Sequence, residues 1–308
     1  MSISIGTASW ADKSLIDTGR FYPADITTPE ARLRYYATRF PLVEVDSSYY
    51  ALPSPGTTEK WARRTPDGFT MNLKAFRLFT GHQTAPAVLP ADIRDALPAP
   101  LKHKAVLYYR DVPGELVAEL WARFTASLQP LREAGRLGLV HFQFPPWLVR
   151  NRAGHAHVAH CAERMEGHTI SVEFRNARWF DGDHADATLA FQRELGVVHT
   201  IVDEPQGFEN SVPPVWETTH ERHALVRMHG RNAAAWNDRS GHSGGRFNHD
   251  YDDAELEGIA HQVLRLDRPA LEIHIVLNNN AEDQAQRNGR RLQRTMRDLQ
   301  ADVEAPVA

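Results

Sequence analysis

Thr169-Ile170-Ser171-Val172-Glu173-Phe174-Arg175 alternates polar and apolar side chains without a break. Successive strand residues point to opposite faces, so Ile170, Val172 and Phe174 share one face and Thr169, Ser171, Glu173 and Arg175 the other. Short runs of the same kind recur at residues 3–8, 42–46, 69–74, 137–143, 197–202, 224–229 and 271–278. Between them lie stretches with helical spacing. Leu116, Leu120, Phe124 and Leu128 fall on one face, as do Leu256, Ile259 and Val263, and the segment 283–299 closes the chain with Leu292, Met296 and Leu299. Thr28 before Pro29-Glu30 is a helix start, with Leu33, Ala37 and Phe40 on the buried stripe.

Strands that alternate with helices pair in parallel through βαβ units. Eight of them in 308 residues predict an α/β fold, a single (β/α)8 TIM barrel over residues 1–300 with a fraying tail over 301–308. Two segments fit less well. Residues 75–136 form an elaborated connection after the third strand, with a further strand expected over 105–109. The Pro- and Glu-rich stretch 204–223, which carries Trp216, reads as an irregular loop.

With helices outside, the apolar strand face meets the helices and the polar face points at the barrel axis. An antiparallel sheet with one wet face would give the same alternation, but intervening helices exclude hairpins. Barrel interiors are normally filled with branched apolar residues, so a polar lumen needs a reason. The polar groups gather at the C-terminal strand ends, where the active sites of this fold are built: Glu44 and Asp46, Lys74, Gln143, Glu173 and Arg175, Asp203, Arg227 and His229, and Asn278 with Asn279. A structural ion network among Glu44, Lys74, Glu173 and Arg175 is the alternative to a working site.

Composition narrows the classes of function. Lys and Arg number 35 against 39 Asp and Glu, a net charge of −4, with 42% hydrophobic and 24% charged residues. That balance excludes a disordered or collagen-like chain and speaks against extended nucleic-acid contact, which draws on basic surface. The single cysteine, Cys161, excludes a disulfide framework and a thiolate metal site. The first residues lack the basic start and apolar run of a signal peptide, and no apolar run reaches the roughly 20 residues of a membrane span, so a cytoplasmic protein is expected.

Several segments together resemble the YecE-like family: Ile5-Gly6-Thr7-Ala8-Ser9-Trp10, Phe21-Tyr22-Pro23, Tyr35-Tyr36-Ala37, Val43 through Tyr50, and Trp61 with Thr65-Pro66. Asn72-Leu73-Lys74, Phe142 through Pro146, Val172 through Arg175 with Trp179, Arg227 through Arg231 and Asn278-Asn279-Asn280 extend it over residues 3–300. The resemblance implies a TIM barrel and, since the family is a domain of unknown function, no reaction. The chain departs from the family pattern at Asp46 (Asn is usual), at Leu277 (an aromatic is usual), at Trp236 (Tyr is common) and in a longer 100–125 region.

The residues themselves suggest a chemistry. Glu173 is the candidate proton-transfer group, with Glu44 and His229 as partners, since a polar pocket can push two carboxyl pKa values apart. Lys74, Gln143, Arg175, Asp203, Arg227, Arg231, Asn278 and Asn279 are candidate ligand-binding groups, the arginines offering planar forks for a carboxylate or phosphate. Trp10, Tyr49 and Trp179 are candidate stacking surfaces, alongside Tyr50, Trp147 and Trp236. His141, His199, His229 and His274 are assigned to the lumen, yet they lie at different depths and lack metal-ligand spacing, so no metal and no cofactor is expected. Gly241-His242-Ser243-Gly244-Gly245-Arg246 lacks the context of a phosphate-binding P-loop and reads as a mobile loop over the site. The expected partner is a small polar or anionic molecule, such as a sugar or sugar phosphate undergoing hydrolysis or isomerisation. The alternatives are a metal-assisted phosphodiester hydrolase and a non-catalytic ligand-binding barrel.

Overall fold

In the computed structural model, which describes residues 1–238, 243–266, 268 and 270–306, eight parallel strands close into a barrel in sequence order. They are β1 (Ser2–Ala8), β2 (Leu42–Val45), β3 (Thr70–Lys74), β4 (Leu137–Gln143), β5 (Ile170–Glu173), β6 (Val198–Asp203), β7 (His223–Met228) and β8 (Glu272–Leu277). Among the described residues seven helices of nine residues or more lie outside: α1 (Pro29–Ala37), α2 (Pro55–Arg63), α3 (Gly114–Glu133), α4 (Arg152–Arg164), α5 (His184–Glu194), α6 (Asp253–Leu264) and α7 (Gln284–Asp298). Local chemistry starts several of them. Thr28 Oγ1 accepts from Ala31 N at 3.1 Å, Asn151 Oδ1 accepts from Gly154 N at 2.8 Å, and Asp252 with Glu255 forms a reciprocal cap on α6.

The connection from β6 to β7 carries no helix, as its Pro and Glu content suggested. It packs on β6 through a side chain instead: Thr219 Oγ1 accepts from His199 N at 2.7 Å and donates to Val197 O at 2.6 Å. The strand expected over 105–109 is not there; a single bridge joins Leu107 to Thr84, and the chain turns at once into a short 3-10 helix, Tyr109–Asp111. The tail expected to fray runs beside β1 as far as Glu304, through the Ile3–Val303 bridge and the Ser4 hydroxyl bonded to the Glu304 carboxylate. Of the glycine-rich loop, residues 241–242 lie outside the described residues, and Ser243–Arg246 form one helical turn.

The outer core is apolar and aromatic. Phe174 stacks on Trp179 at 3.8 Å and Phe79 on Trp121 at 3.7 Å, and all four are buried; full burial of such side chains is worth roughly 1.5–3 kcal/mol each. Inside the barrel, Leu42, Leu139, Val198, Leu225 and Val276 meet Ala8 in a compact apolar layer. Beneath it Asn72 Oδ1 accepts from Leu139 N at 2.8 Å and lies 3.1 Å from His274 Nδ1, filling the register shift between β3 and β4.

Strand closure at β1 leaves no room beside Gly6. A Cβ there would sit 1.9 Å from the Leu42 carbonyl oxygen, which is backbone and cannot swing aside. Gly6→Ala is therefore expected to destabilise the protein by more than about 2 kcal/mol. Gly258, inside α6 with open space around it, is the control, and Gly258→Ala should stabilise by about 0.5–1 kcal/mol. Equilibrium unfolding in denaturant checks both, and an unchanged midpoint for Gly6→Ala would contradict the packing described.

Candidate functional site at the barrel mouth

Above the apolar layer the lumen turns charged, because each strand places its next inward residue one step toward the C-terminal end. Leu42 is followed by Glu44 and Asp46, Leu139 by His141 and Gln143, Ser171 by Glu173 and Arg175, and Leu225 by Arg227 and His229. Arg227 is fully buried there. Its Nε and Nη2 donate to both oxygens of Glu44 at 3.0 and 2.6 Å, and its Nη1 donates to Glu173 Oε2 at 2.6 Å. One guanidinium thus joins β2, β5 and β7 across the lumen.

Glu173 is surrounded by donors. Arg175 Nε lies 3.0 Å from Oε1, Gln143 Nε2 donates to the same oxygen at 2.9 Å, and His229 Nε2 stands 3.3 Å away. Burial by itself would raise both carboxyls, but Arg227 overrides it. Glu44 is held down to about 2, with His141 and Lys74 assisting, and Glu173 lies well below the usual carboxylate range, with His229 and Arg175 assisting. Burial and then the Arg175 charge push His229 down to about 3, so its imidazole is neutral and its contact with Glu173 is a hydrogen bond. With the Asn278 amide nitrogen 2.9 Å from Nδ1, the proton sits on Nε2.

This geometry leaves little acid–base capacity in Glu173, Glu44 and His229. Both carboxylates are ionised and engaged by Arg227, which fills the space between them that a glycosidic oxygen and its water would need. What they can do is orient arginines.

The open part of the site is a cavity of about 500 Å³ at the C-terminal mouth. Of the expected ligand-binding groups, Lys74, Gln143, Arg175, Asn278 and Tyr49 line it, together with Ser9, Asp46, Tyr50, His82, Asn210, Trp236, Arg246 and Phe247. Ser9 holds a left-handed φ of 66° at the end of β1, a strained conformation for a residue with a Cβ. Lys74 Nζ lies 3.4 Å from Asp46 Oδ1 and 5.1 Å from the centre of the Tyr49 ring. The Arg175 and Arg246 guanidinium carbons lie 5.4 and 5.3 Å from the centre of the one Trp236 ring. Burial and the neighbouring Arg175 charge lower the Arg246 pKa, and among the described residues Arg246 makes no ion pair. Two cations therefore converge on one wall.

The remaining expected site residues sit elsewhere. Asp203 faces the helices, because β6 pairs Val202 with the inward Arg227 and Asp203 with the outward Met228. There it accepts from Arg231 and, at 2.6 Å, from the Tyr251 hydroxyl, and Arg231 also reaches Glu255. The same parity turns His199 outward, against the Val215 carbonyl and the Phe180 ring. Asn279 is buried, donating to His249 O and Asn288 Oδ1. Trp179 is buried on Phe174 with its Nε1 donating to Leu148 O, and Trp10 packs edge-on against Trp61. Asp203, Arg231, Asn279, Trp179 and Trp10 as ligand-binding groups, and His199 as a lumen residue, are six corrections: each has its polar or aromatic face taken up by the protein. Trp147 lines a separate cavity of about 530 Å³ outside the barrel.

Glu204 joins the site without having been among the expected residues. Its Oε2 pairs with Arg175 and its Oε1 accepts from Val212 N at 2.8 Å, and burial raises its pKa to about 7 against the pull of Arg175. Its signal was present, since the parity Val198, Thr200, Val202, Glu204 continues the inward face of β6. His82 carried no such signal, being on a loop distant in sequence, and Arg246 ends the glycine-rich segment expected over the site, where nothing in the sequence singles out its side chain. Among the described residues no group of three His, Cys, Asp or Glu side chains is placed to hold a metal ion, and no helix is long and apolar enough to cross a membrane.

Known proteins with similar sequence and structure fit this architecture. A family model described as protein of unknown function DUF72 matches residues 4–308. The UPF0759 protein YunF of Bacillus subtilis (strain 168) is 31% identical over 293 residues, covering 94% of this chain and 93% of that protein. Among solved structures, a DUF72 family protein of Enterococcus faecalis V583 has a TM-score of 0.77 at 24% identity over 96% of this chain and 95% of its own. A DUF72 family protein of Thermotoga maritima MSB8 has a TM-score of 0.73 at 24% identity, covering 96% of this chain and 100% of its own. The chain therefore belongs to the DUF72 family of proteins of unknown function, the same family as the YecE-like resemblance.

Proposed function

We propose that the barrel mouth binds a small anionic molecule, and that the buried carboxylates and His229 hold the binding arginines in place. The observation that carries this reading is the pair of guanidinium groups, Arg175 and Arg246, that share the Trp236 ring in one cavity with Lys74. Like charges brought together at a cost are stabilised by an anion between them. Arg175 is fixed from behind by Glu173 and Glu204, so its fork is oriented before a ligand arrives. Asp46, at the cavity and not tied to Arg227, is a better candidate for acid–base chemistry than Glu173 or Glu44. Burial raises the Asp46 carboxyl against the pull of Lys74. A cavity of this size suits a metabolite and is too small for a duplex.

Sulfate or phosphate at tens of millimolar is expected to raise the melting temperature by several degrees, since a ligand at a hundred times its Kd stabilises by about 2.7 kcal/mol. Arg246→Ala should remove most of that shift while leaving the unliganded melt nearly unchanged. Thermal melts of both proteins with and without each anion check this, and a wild-type melting temperature unmoved by either anion refutes the reading.

The scaffold role of the network has its own test. Glu173→Gln leaves Arg227 and Arg175 short of a partner inside the barrel and should destabilise by about 3–5 kcal/mol. The pH dependence follows from the directions of the shifts. His82, His199, His229 and His274 are depressed to about 3, 4, 3 and 3, so below the ordinary value of 6.5 the unfolded chain takes up protons that the folded one does not. Glu44, depressed to about 2, adds stability that is complete above 4.5 and lost below it. Glu204, raised to about 7, and Asp46, also raised, work in the opposite sense but are two groups against the four histidines and Glu44. Unfolding free energy should therefore climb as pH rises from about 4 to 6.5. Denaturant titrations across that range measure the slope; a flat or falling profile would mean the histidines are charged in the folded protein.

A further inference from the structure

The floor of the mouth is rich in hydrogen-bond acceptors that no described residue uses. Gln143 commits its Nε2 to Glu173 and Asn278 its Nδ2 to His229, which leaves both amide oxygens free at the cavity. Asp46 is the third. Neither of its carboxylate oxygens accepts a well-formed hydrogen bond from a described residue, and Oδ1 is buried, with the Lys74 ammonium 3.4 Å away as its ion-pair partner. Asp46 and Lys74 together offer one acceptor and one donor side by side. That is the complement of a hydroxyl, which donates one hydrogen bond and accepts others. Tyr49 and Trp236 supply flat walls against which the C–H faces of a polyol can pack.

We propose that the mouth is specific for a phosphorylated polyol of the sugar-phosphate class, its phosphate on Arg175 and Arg246 and its hydroxyls read by Asp46 with Lys74, Gln143 and Asn278. This rests on the anion-binding reading above and adds to it the class of molecule. A bare anion satisfies the two arginines but leaves the acceptors of the floor without donors. Such groups reject a ligand that lacks the matching hydroxyl. Asp46 is a specificity-determining residue in this scheme, and it also repels any ligand that brings only negative charge to its end of the cavity.

The experiment compares phosphates of like charge that differ in hydroxyls, with gluconate as a hydroxylated carboxylate beside them. Binding of inorganic phosphate, ethyl phosphate, glycerol phosphate, sorbitol phosphate and gluconate to the full chain is measured by calorimetry, for wild type and for Asp46→Ala and Asp46→Asn. Sorbitol phosphate should bind wild type at least about ten-fold tighter than ethyl phosphate. Asp46→Ala should erase most of that preference while holding or improving affinity for inorganic phosphate. Asp46→Asn, which preserves shape, should erase part of it and serves as the reading if Asp46→Ala fails to fold. Hydroxylated phosphates that bind no tighter than ethyl phosphate, or a preference that survives both substitutions, overturn the proposal and leave the anion site standing. Gluconate as tight as sorbitol phosphate overturns the phosphate assignment. If no phosphate binds, the anion reading falls as well.

Discussion

The buried guanidinium of Arg227 is the constraint on which the upper half of the barrel depends. It holds Glu44 from one side of the ring and Glu173 from the other, three charges with no access to solvent. A charge in such a place is tolerable only when paired and fully hydrogen-bonded, and each partner therefore recruits the next. Glu173 draws in Arg175, Gln143 and His229; Arg175 draws in Glu204; Glu204 ties down Val212 in the connection from β6 to β7. The chain of contacts starts at the barrel axis and ends at the loop that carries Asn210 to the cavity wall.

That arrangement accounts for an interior unlike the usual one. Barrels of this fold are generally packed with layers of branched apolar side chains. Here one apolar layer, built on Leu42, Leu139, Val198, Leu225 and Val276, separates a polar floor around Asn72 and His274 from the ionic layer above. The apolar layer excludes water from below, which strengthens the ion pairs. The mouth then receives side chains whose positions are fixed from underneath. Arg175 is held from behind by Glu173 and Glu204, whereas Lys74 meets Asp46 and the Tyr49 ring at the mouth.

The sequence reading went astray at particular residues for particular reasons. His199 and Asp203 were assigned inward because they are polar and lie in a strand. Parity along β6 runs the other way, with Val198, Thr200, Val202 and Glu204 facing the axis. Polarity misled because the outer face of β6 is covered by a loop and by Tyr251 and Arg231, which supply hydrogen bonds where helices ordinarily supply methyl groups. Trp179 and Trp10 were placed at the mouth because they sit on loops after strands, yet loop aromatics pack as readily on the nearest apolar surface, here Phe174 and Trp61. The segment 301–304 was judged by position in the chain, while its backbone bonds to β1 could be seen only in three dimensions.

By itself the sequence determined the fold class, the number of strands and, in six of them, which face looks inward, because side-chain periodicity is a local property and burial enforces it. It also placed Lys74, Gln143, Arg175 and Asn278 at one end of one barrel, since parallel strands all present their C-terminal ends to the same side. Only the tertiary structure decided what those groups do. Whether a carboxylate is an acid, a base or an anchor depends on which charges stand within a few ångströms of it. Arg227 reaches Glu44 across 183 residues of chain, a contact that no local pattern encodes. That Arg175 and Arg246 share the one Trp236 ring is likewise set by how the segments beyond the strands pack, although Trp236 itself was expected near the mouth.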